Sequence, residues 1–395
     1  MMIPHTDGPA APIVYRPHRS GLDRGLTIGQ TVALLAAVLA VVASFAVAPS
    51  PAAAALALAA LVLVGVTLIP IQGRTLWAWA ELRYSWWRRR GEGAAWDVAV
   101  SEWERRTGEP FGLIAAGGRL TVCLSVQSPL GAQPGSRWLT RRHCDVLAHA
   151  GATCGAATAT VVIDPGSSSH SEQQVRVTYA FARRGAAVLG GLDRQAGEVE
   201  RRLPAIIAGA ASAGLDLTVL TAEQNSATIG AALRTPPHSG SGEHLAAELA
   251  EPHWDHVAHN GHRSITCESL GRGVGHFPDV LPHLRAGWEQ ARVALLYRFD
   301  GPAQRIVDEN YRFALSRGVP GTSDEALIAA AVAARTAVAR GAAVAQIRTL
   351  LTVTAPADQP LPETGGRALR CWYGQQEHAF TAALGLAHPV SAHGL

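Results

Sequence analysis

Between Arg24 and Arg74 the chain carries no charged residue at all. The stretch breaks once, at "APSPAA", where Pro49 and Pro51 interrupt any helix. Two apolar runs remain, Leu26 to Ala48 and Ala52 to Ile71. Each approaches the roughly 20 residues that a helix needs to cross a bilayer. The connection is a few residues long, so the pattern predicts a two-helix transmembrane hairpin over residues 26–72, preceded by an N-terminal tail over 1–25. Arg16, Arg19 and Arg24 lie before the first run, Arg74, Arg83, Arg88, Arg89 and Arg90 after the second, and none lies between. The positive-inside bias then places both termini in the cytoplasm, at a bacterial inner membrane. The competing pattern is a signal peptide cleaved after "AVA" (Ala46 to Ala48), whose basic region would be unusually long.

"TLWAWAELRYSWWRRR" (Thr75 to Arg90) follows, with Trp77, Trp79, Trp86 and Trp87 ahead of three arginines. Tryptophan favours the membrane–water boundary and arginine favours anionic headgroups, so residues 73–95 read as a juxtamembrane helix beside the bilayer or against a partner's helix. From about Trp96 the pattern becomes an α/β alternation. "FGLIAAGGRLTVCLSVQ" (Phe111 to Gln127) predicts two strands around Gly117-Gly118. "RWLTRRHCDVLAHAG" predicts an amphipathic helix ended by Gly151. "ATATVVID" and "VRVTYAFA" are β-branched strands around "PGSSSH". A helix follows over "GGLDRQAGEVERRLPAIIAGAASAGL", with Pro204 as a candidate kink, then the short strand "DLTVLTA" and a helix to Leu233. The Pro/Gly/Ser-rich "RTPPHSGSGEH" (Arg234 to His244) marks a linker. Beyond it come strands "RSITCESL" and "ARVALLYRFD", an alanine-rich helix from Ser323 to Leu351, and a closing strand and helix. The expected fold class is α/β: the hairpin, then a cytoplasmic α/β sandwich over 96–395, each sheet with one face covered by helices. Its halves, 96–235 and 244–395, have similar element content, which raises an internal duplication.

Composition sharpens this. Hydrophobic residues make up 48% of 395 residues and mean hydropathy is +0.11, both suited to membrane segments. A net charge of +3 with arginines gathered near the apolar runs implies no nucleic-acid partner. All 34 basic residues are arginine. A Walker A phosphate loop and Schiff-base chemistry both need a lysine and are excluded. Five scattered cysteines (Cys123, Cys144, Cys154, Cys267, Cys371) with no CxxC predict reduced thiols in a reducing compartment.

The one cluster that resembles chemistry is "EPHWDHVAHNGHRS", with His253, His256, His259 and His262 three apart and Asp255 among them. Zinc ligands on one helix favour an i, i+4 spacing, which is absent, and no glutamate sits in a general-base position. On one strand, residues three apart diverge to opposite faces. The expected reading is histidines at a helix end and turn, with no metal, cofactor or catalytic residue. The competing one is a membrane-tethered glycosyl- or nucleotidyl-transferring domain using Asp255, the histidines and a divalent metal. "GRGVGHF" lacks GxGxxG spacing, and "PGSSSH" and "HSGSGEH" supply no nucleophile elbow, so all three read as loops.

The order of segments resembles the EccE membrane component of actinobacterial type VII (ESX) secretion systems. Two close membrane helices lead into "GRTLWAWAELRYSWWRRR" and an α/β region. "LDRQAGEVERRLPAIIAGAASAGLDLTVLTAEQ" (Leu192 to Gln224) is similar to that family's helix–strand–helix segment. "HWDHVAHNGHRSITCESL" is similar to its Trp, His and following strand, here Trp254 and His262. "YGQQEHAFTAALGLA" (Tyr373 to Ala387) is similar to its Gly-Gln-Gln and leucine-rich close, although Leu384-Gly385-Leu386-Ala387 lacks the family's proline. The resemblance implies a noncatalytic subunit in a large hetero-oligomer with EccB, EccC and EccD, EccC being the ATPase. Two-helix components of actinobacterial conjugation machinery share such features.

Overall fold

The computed structural model describes residues 13–16, 28–46, 50–71, 74–90, 98–116, 118–127, 139–164, 174–182, 191–234, 250–269, 290–299, 303–316, 322–360 and 369–386. In chain order the elements are β1 (Ile13–Arg16), α1 (Ile28–Ala46), α2 (Pro51–Leu68), β2 (Pro70–Ile71), β3 (Arg74–Thr75) and α3 (Leu76–Arg90). Then come β4 (Val98–Glu104), β5 (Pro110–Ala116), β6 (Arg119–Gln127), α4 (Arg141–Thr153), β7 (Thr158–Asp164) and β8 (Gln174–Ala182). The middle of the chain forms α5 (Gly191–Ala211), β9 (Asp216–Val219), α6 (Ala222–Ala232), β10 (Ala250–Pro252), β11 (Val257–His259) and β12 (His262–Ser269). The last elements are β13 (Gln290–Arg298), α7 (Ala303–Ser316), α8 (Thr322–Ala339), β14 (Ala343–Pro356), β15 (Leu369–Cys371) and α9 (Gln376–Ala383). The chain divides into two compact units: residues 18–93 with 391–395, and residues 1–17 with 94–390.

In the smaller unit, α1 and α2 are two helices near the N-terminus long and apolar enough to cross a membrane. They pack along each other through small side chains, with Ala33, Ala37 and Ala60 buried, as close helix approach requires. Ser50 caps α2 by accepting from the Ala53 N–H, and Pro51 occupies the first turn, where its missing donor costs nothing. Val38, Leu39, Phe45, Leu58 and Leu61 point outward. The Gln30 amide donates to the Thr75 hydroxyl at 3.1 Å, tying the start of α1 to the strand that precedes α3.

The larger unit is built on one 13-stranded sheet in the order β10-β11-β12-β14-β13-β7-β8-β6-β5-β4, with β1 beside β14, β15 beside β12 and β9 beside β6. Every pairing is antiparallel except that of β1 with β14. The architecture is therefore mixed α/β on a single continuous sheet with helices on both faces, where the sequence pattern suggests separate sheets each covered on one side. On one face Val122, Leu124, Val161, Val177, Tyr179 and Val293 meet Leu147 of α4 and Leu203 and Ile206 of α5. On the other, Val98, Ile114 and Cys123 meet Ile229 of α6 and Phe380 of α9. Val14 and Val344 pack with Ile306 and Val307 of α7 and Ala334 of α8.

The sheet order contains the same path twice. Read from one edge, β4-β5-β6-β8-β7 repeats as β10-β11-β12-β14-β13, and the short β9 and β15 each add to the third strand of their set. The likeness extends to single bonds. Both sets turn in two residues, Ala116 opposite Arg119 and His259 opposite His262. The Leu220 N–H donates to the Cys123 carbonyl as the Trp372 N–H donates to that of Thr266. The two sets join where β7 pairs antiparallel with β13, from Thr158 opposite Arg298 to Ile163 opposite Val293. This places a pseudo-twofold axis between those strands.

Several local expectations change. Residues 13–16 are a strand rather than free tail. Gly151 lies inside α4, held against the Tyr179 ring, and Gly155, at φ +77°, follows the helix instead. Pro204 is accommodated within α5. The alanine-rich helix stops at Ala339, Gly341 turns the chain at φ +97°, and the rest of the predicted helix belongs to β14. "PGSSSH", "GRGVGHF" and the linker after Arg234 lie outside the described residues.

Candidate functional site

The histidines lie on a β-meander rather than at a helix end. The His253 N–H donates to the His256 carbonyl at 2.8 Å, closing the bend between β10 and β11. Asn260 and Gly261 then form a two-residue turn, both at positive φ, and β12 begins. Asn-Gly suits such a turn because both central positions need a left-handed backbone. His259 and His262, expected to diverge, are cross-strand partners, and their rings lie 6.3 Å apart. Facing residues of an antiparallel pair share a face, which the sequence spacing alone does not reveal.

The four rings do different things. His253 and His256 stack at 4.4 Å, and the His256 Nδ1 lies 2.8 Å from the Asp255 carboxylate. His262 contacts the Asn260 carbonyl through Nδ1 at 3.0 Å. His259 is 3% exposed. Its Nδ1 lies 3.1 Å from the Leu233 carbonyl, which can only accept, so Nδ1 carries the proton. Nε2 then accepts from the Ser264 hydroxyl at 2.7 Å, and Ser264 is free to accept from Thr354 at 2.7 Å. Burial pulls the His259 pKa down to about 4, against the pull of the Leu233 hydrogen bond, and His262, Arg292 and Arg234 lower it further. The ring is neutral at pH 7. A serine hydroxyl on an imidazole is the geometry of an activated nucleophile. Ser264, however, has no exposed surface, so an acyl group reaches it only if the hairpin opens. Among the described residues no group of three or more His, Cys, Asp or Glu is arranged to hold a metal.

This polar layer continues along the same face of the sheet. Thr266 and Thr352 share a hydrogen bond at 2.9 Å, and the Gln376 amide both accepts from the Thr266 N–H and donates to its carbonyl. The Thr178 hydroxyl donates to the Gly385 carbonyl at 2.9 Å. Leu233 is the C-cap of α6, and Gly385 follows Leu384, the C-cap of α9. Each repeat's last helix is thus fastened by a side chain of the other repeat, His259 in one case and Thr178 in the other.

Two segments distant in sequence meet here. The Gly374 N–H donates to the Trp254 carbonyl at 2.6 Å, and a Cβ on Gly374 would stand 2.6 Å from the Trp254 ring. Gly374 also sits at φ +71°, so no other residue fits. Phe380 of α9 stacks on His259 at 5.6 Å. Trp254 and the Gly374-Gln375-Gln376 run therefore form one junction, while His262 lies at the other end of β11, beyond the Asn260-Gly261 turn.

Sequence reasoning missed the buried charges. Asp164 bridges Arg292 at 2.6 Å and Arg176 at 2.7 Å across the β7–β13 seam. Burial pushes the Asp164 carboxyl up, and the two guanidinium groups outweigh it, leaving the pKa below the usual value. Glu268 pairs with Arg370 at 2.7 Å, and Asp145 accepts from Arg141 and from the Tyr297 hydroxyl. Arg141 and Asp145 are an i, i+4 pair on α4, whereas the Asp164, Glu268 and Tyr297 contacts join separate elements, so no local signal announces those. Cysteine chemistry also differs from expectation: Cys267 and Cys371 form a disulfide, being directly opposed on β12 and β15 with Cα atoms 4.0 Å apart. Their separation of 104 residues hides the pairing. Cys123 is a buried free thiol pushed up to about 12 by burial, which keeps it protonated and inert. No protein-family model and no curated protein matches the chain.

Proposed function

We propose that this chain is a two-span subunit of an inner-membrane type VII (ESX) secretion complex, similar to EccE, that supports assembly of the translocation machinery. The observation that carries the reading is the junction of Trp254 with Gly374 and of Thr266 with Gln376. Two of the segments that resemble the EccE family, those around Trp254 and around Gly374, meet here, each completing the other. Their polar groups are spent on internal hydrogen bonds, which suits a scaffold.

Chain connectivity supports the membrane topology. β1, before the hairpin, and everything from residue 94 to 390 belong to the same unit. A hairpin whose two flanks share one folded unit leaves the membrane on the side where it entered, and the flanking arginines assign that side to the cytoplasm. The partners are the EccB, EccC and EccD components, and the lysine-free chain leaves nucleotide hydrolysis to EccC.

A deletion strain tests the reading. Loss of the gene should abolish export through one ESX system, full-length chain should restore it, and His253→Gln with His256→Gln should restore it equally. Undiminished export in the deletion strain contradicts the proposal.

A further inference from the structure

The only acidic side chain from Arg74 to Arg90 is Glu81, against five arginines: Arg74, Arg83, Arg88, Arg89 and Arg90. Glu81 is already engaged, accepting from the Trp77 indole N–H at 2.6 Å. The helix therefore presents a net positive charge weighted toward its C-terminal end. Its beginning is fixed beside the hairpin, because a Cβ on Gly29 of α1 would stand 3.0 Å from the Trp77 ring, and Gln30 bonds Thr75. Where α1 starts, α2 ends, so α3 departs from the level at which both helices meet the bilayer surface.

Two of its aromatic side chains are displayed rather than packed. Tyr84 is 63% and Trp87 68% exposed, with ring centroids 6.4 Å apart. Arg83 lies 5.1 Å over the Trp86 ring, and Arg88 is exposed. An indole or phenol prefers the headgroup region, where its ring is shielded and its polar edge stays wet. A guanidinium beside it can take a phosphate oxygen in bidentate geometry. Aliphatic contacts with another protein helix would not explain two exposed rings set among arginines.

From this juxtaposition we infer that α3 is a binding surface for anionic phospholipid headgroups, with Arg83 and Arg88 taking phosphates and Tyr84 and Trp87 seated between the lipids. The inference rests on the reading that α1 and α2 span the bilayer. It adds a selectivity that the spans lack, since they carry no charge.

The test uses the full chain in phosphatidylcholine vesicles containing a minor fraction of phosphatidylglycerol. Bromine is placed on the acyl chains of either lipid at equal mole fraction, and tryptophan quenching is read. Brominated phosphatidylglycerol should occupy the surface around α3 about fivefold or more over brominated phosphatidylcholine at low salt. The preference should fall toward parity at high salt. Arg83→Gln with Arg88→Gln, Arg89→Gln and Arg90→Gln should abolish it, and the corresponding lysine variants should keep it. Equal quenching by the two lipids in the unaltered chain overturns the inference, as does a preference that the glutamine variant retains. Equal quenching with loss of co-purifying protein in that variant would assign the arginines to an acidic protein instead, which also overturns it. Extraction by alkaline carbonate reports separately on the spanning helices: release of the chain would refute the membrane reading itself.

Discussion

His259 offers a quantitative test of the polar layer. Its pKa falls from the ordinary 6.5 to about 4 because the ring is enclosed. In the unfolded chain the ring protonates near pH 6.5, and the folded protein refuses that proton until about pH 4. The contribution is therefore fully present above 6.5 and is lost as pH falls through that window, since the unfolded state then binds the extra proton. At roughly 1.4 kcal/mol per unit the loss reaches about 3 kcal/mol. His259→Gln is the informative perturbation. A glutamine amide can donate to the Leu233 carbonyl and accept from Ser264 as the imidazole does, yet does not titrate. Urea unfolding of the full chain in mild detergent, at several pH values between 7 and 4, should show the unaltered protein losing about 3 kcal/mol more than the variant. Asp164 does not confuse the comparison. Its lowered pKa places its own loss below the ordinary carboxylate range, and it is present in both proteins. Parallel pH profiles would refute a buried, neutral His259. His259→Leu should destabilise even at pH 7, by about 2 kcal/mol or more, because the Leu233 carbonyl and the Ser264 hydroxyl lose their partner.

Other expected outcomes follow the same logic. Gly374→Ala should cost about 2–4 kcal/mol of stability, from the left-handed backbone and the collision with Trp254, measured by the same unfolding assay. A reporter fused after Leu395 should be active only as a cytoplasmic fusion; activity of a periplasm-specific reporter there would reverse the topology. Metal analysis of the purified chain should find less than stoichiometric zinc, and His253→Gln should change stability by no more than about 0.5 kcal/mol, since that ring lies toward the surface. Non-reducing peptide mapping of chain purified without reductant and exposed to a mild oxidant should recover a Cys267–Cys371 linked pair, because the two cysteines are directly opposed on β12 and β15. Reducing it should lower stability by up to about 4–5 kcal/mol, the loop-entropy scale for roughly a hundred residues.

The parts of the fold legible in the sequence are those with local causes. The uncharged runs around Pro49 and Pro51 are visible because a membrane-length helix needs a continuous apolar stretch. The β5–β6 hairpin is visible because Gly117-Gly118 permits a tight turn between alternating strands. The equivalent Asn260-Gly261 carries the same turn signal, but the histidines on either side draw attention to metal chemistry. β14 is hidden because the helical alanine pattern runs on across Gly341, and only the sheet decides that the chain extends there. β1 is four residues long and owes its existence to β14, more than three hundred positions away in sequence, so nothing near it signals a strand. The duplicated strand order is likewise a property of pairing. The two halves keep little side-chain likeness, with Thr178 and Thr352 among the few matching positions, while their hydrogen-bond registers coincide. The Arg176–Asp164–Arg292 bridge crosses the seam between the halves and has no sequence signature.

Assembly is the central claim, and co-purification addresses it most directly. The intact chain, tagged and extracted from its own membranes in mild detergent, is predicted to bring down the EccB, EccC and EccD components together. A chain truncated before Trp96 is predicted to insert and to recover none of them, because two uncharged spans of alanine, leucine and valine offer little specificity by themselves. Recovery of the intact chain alone, or with conjugation-machinery proteins instead, would contradict the account.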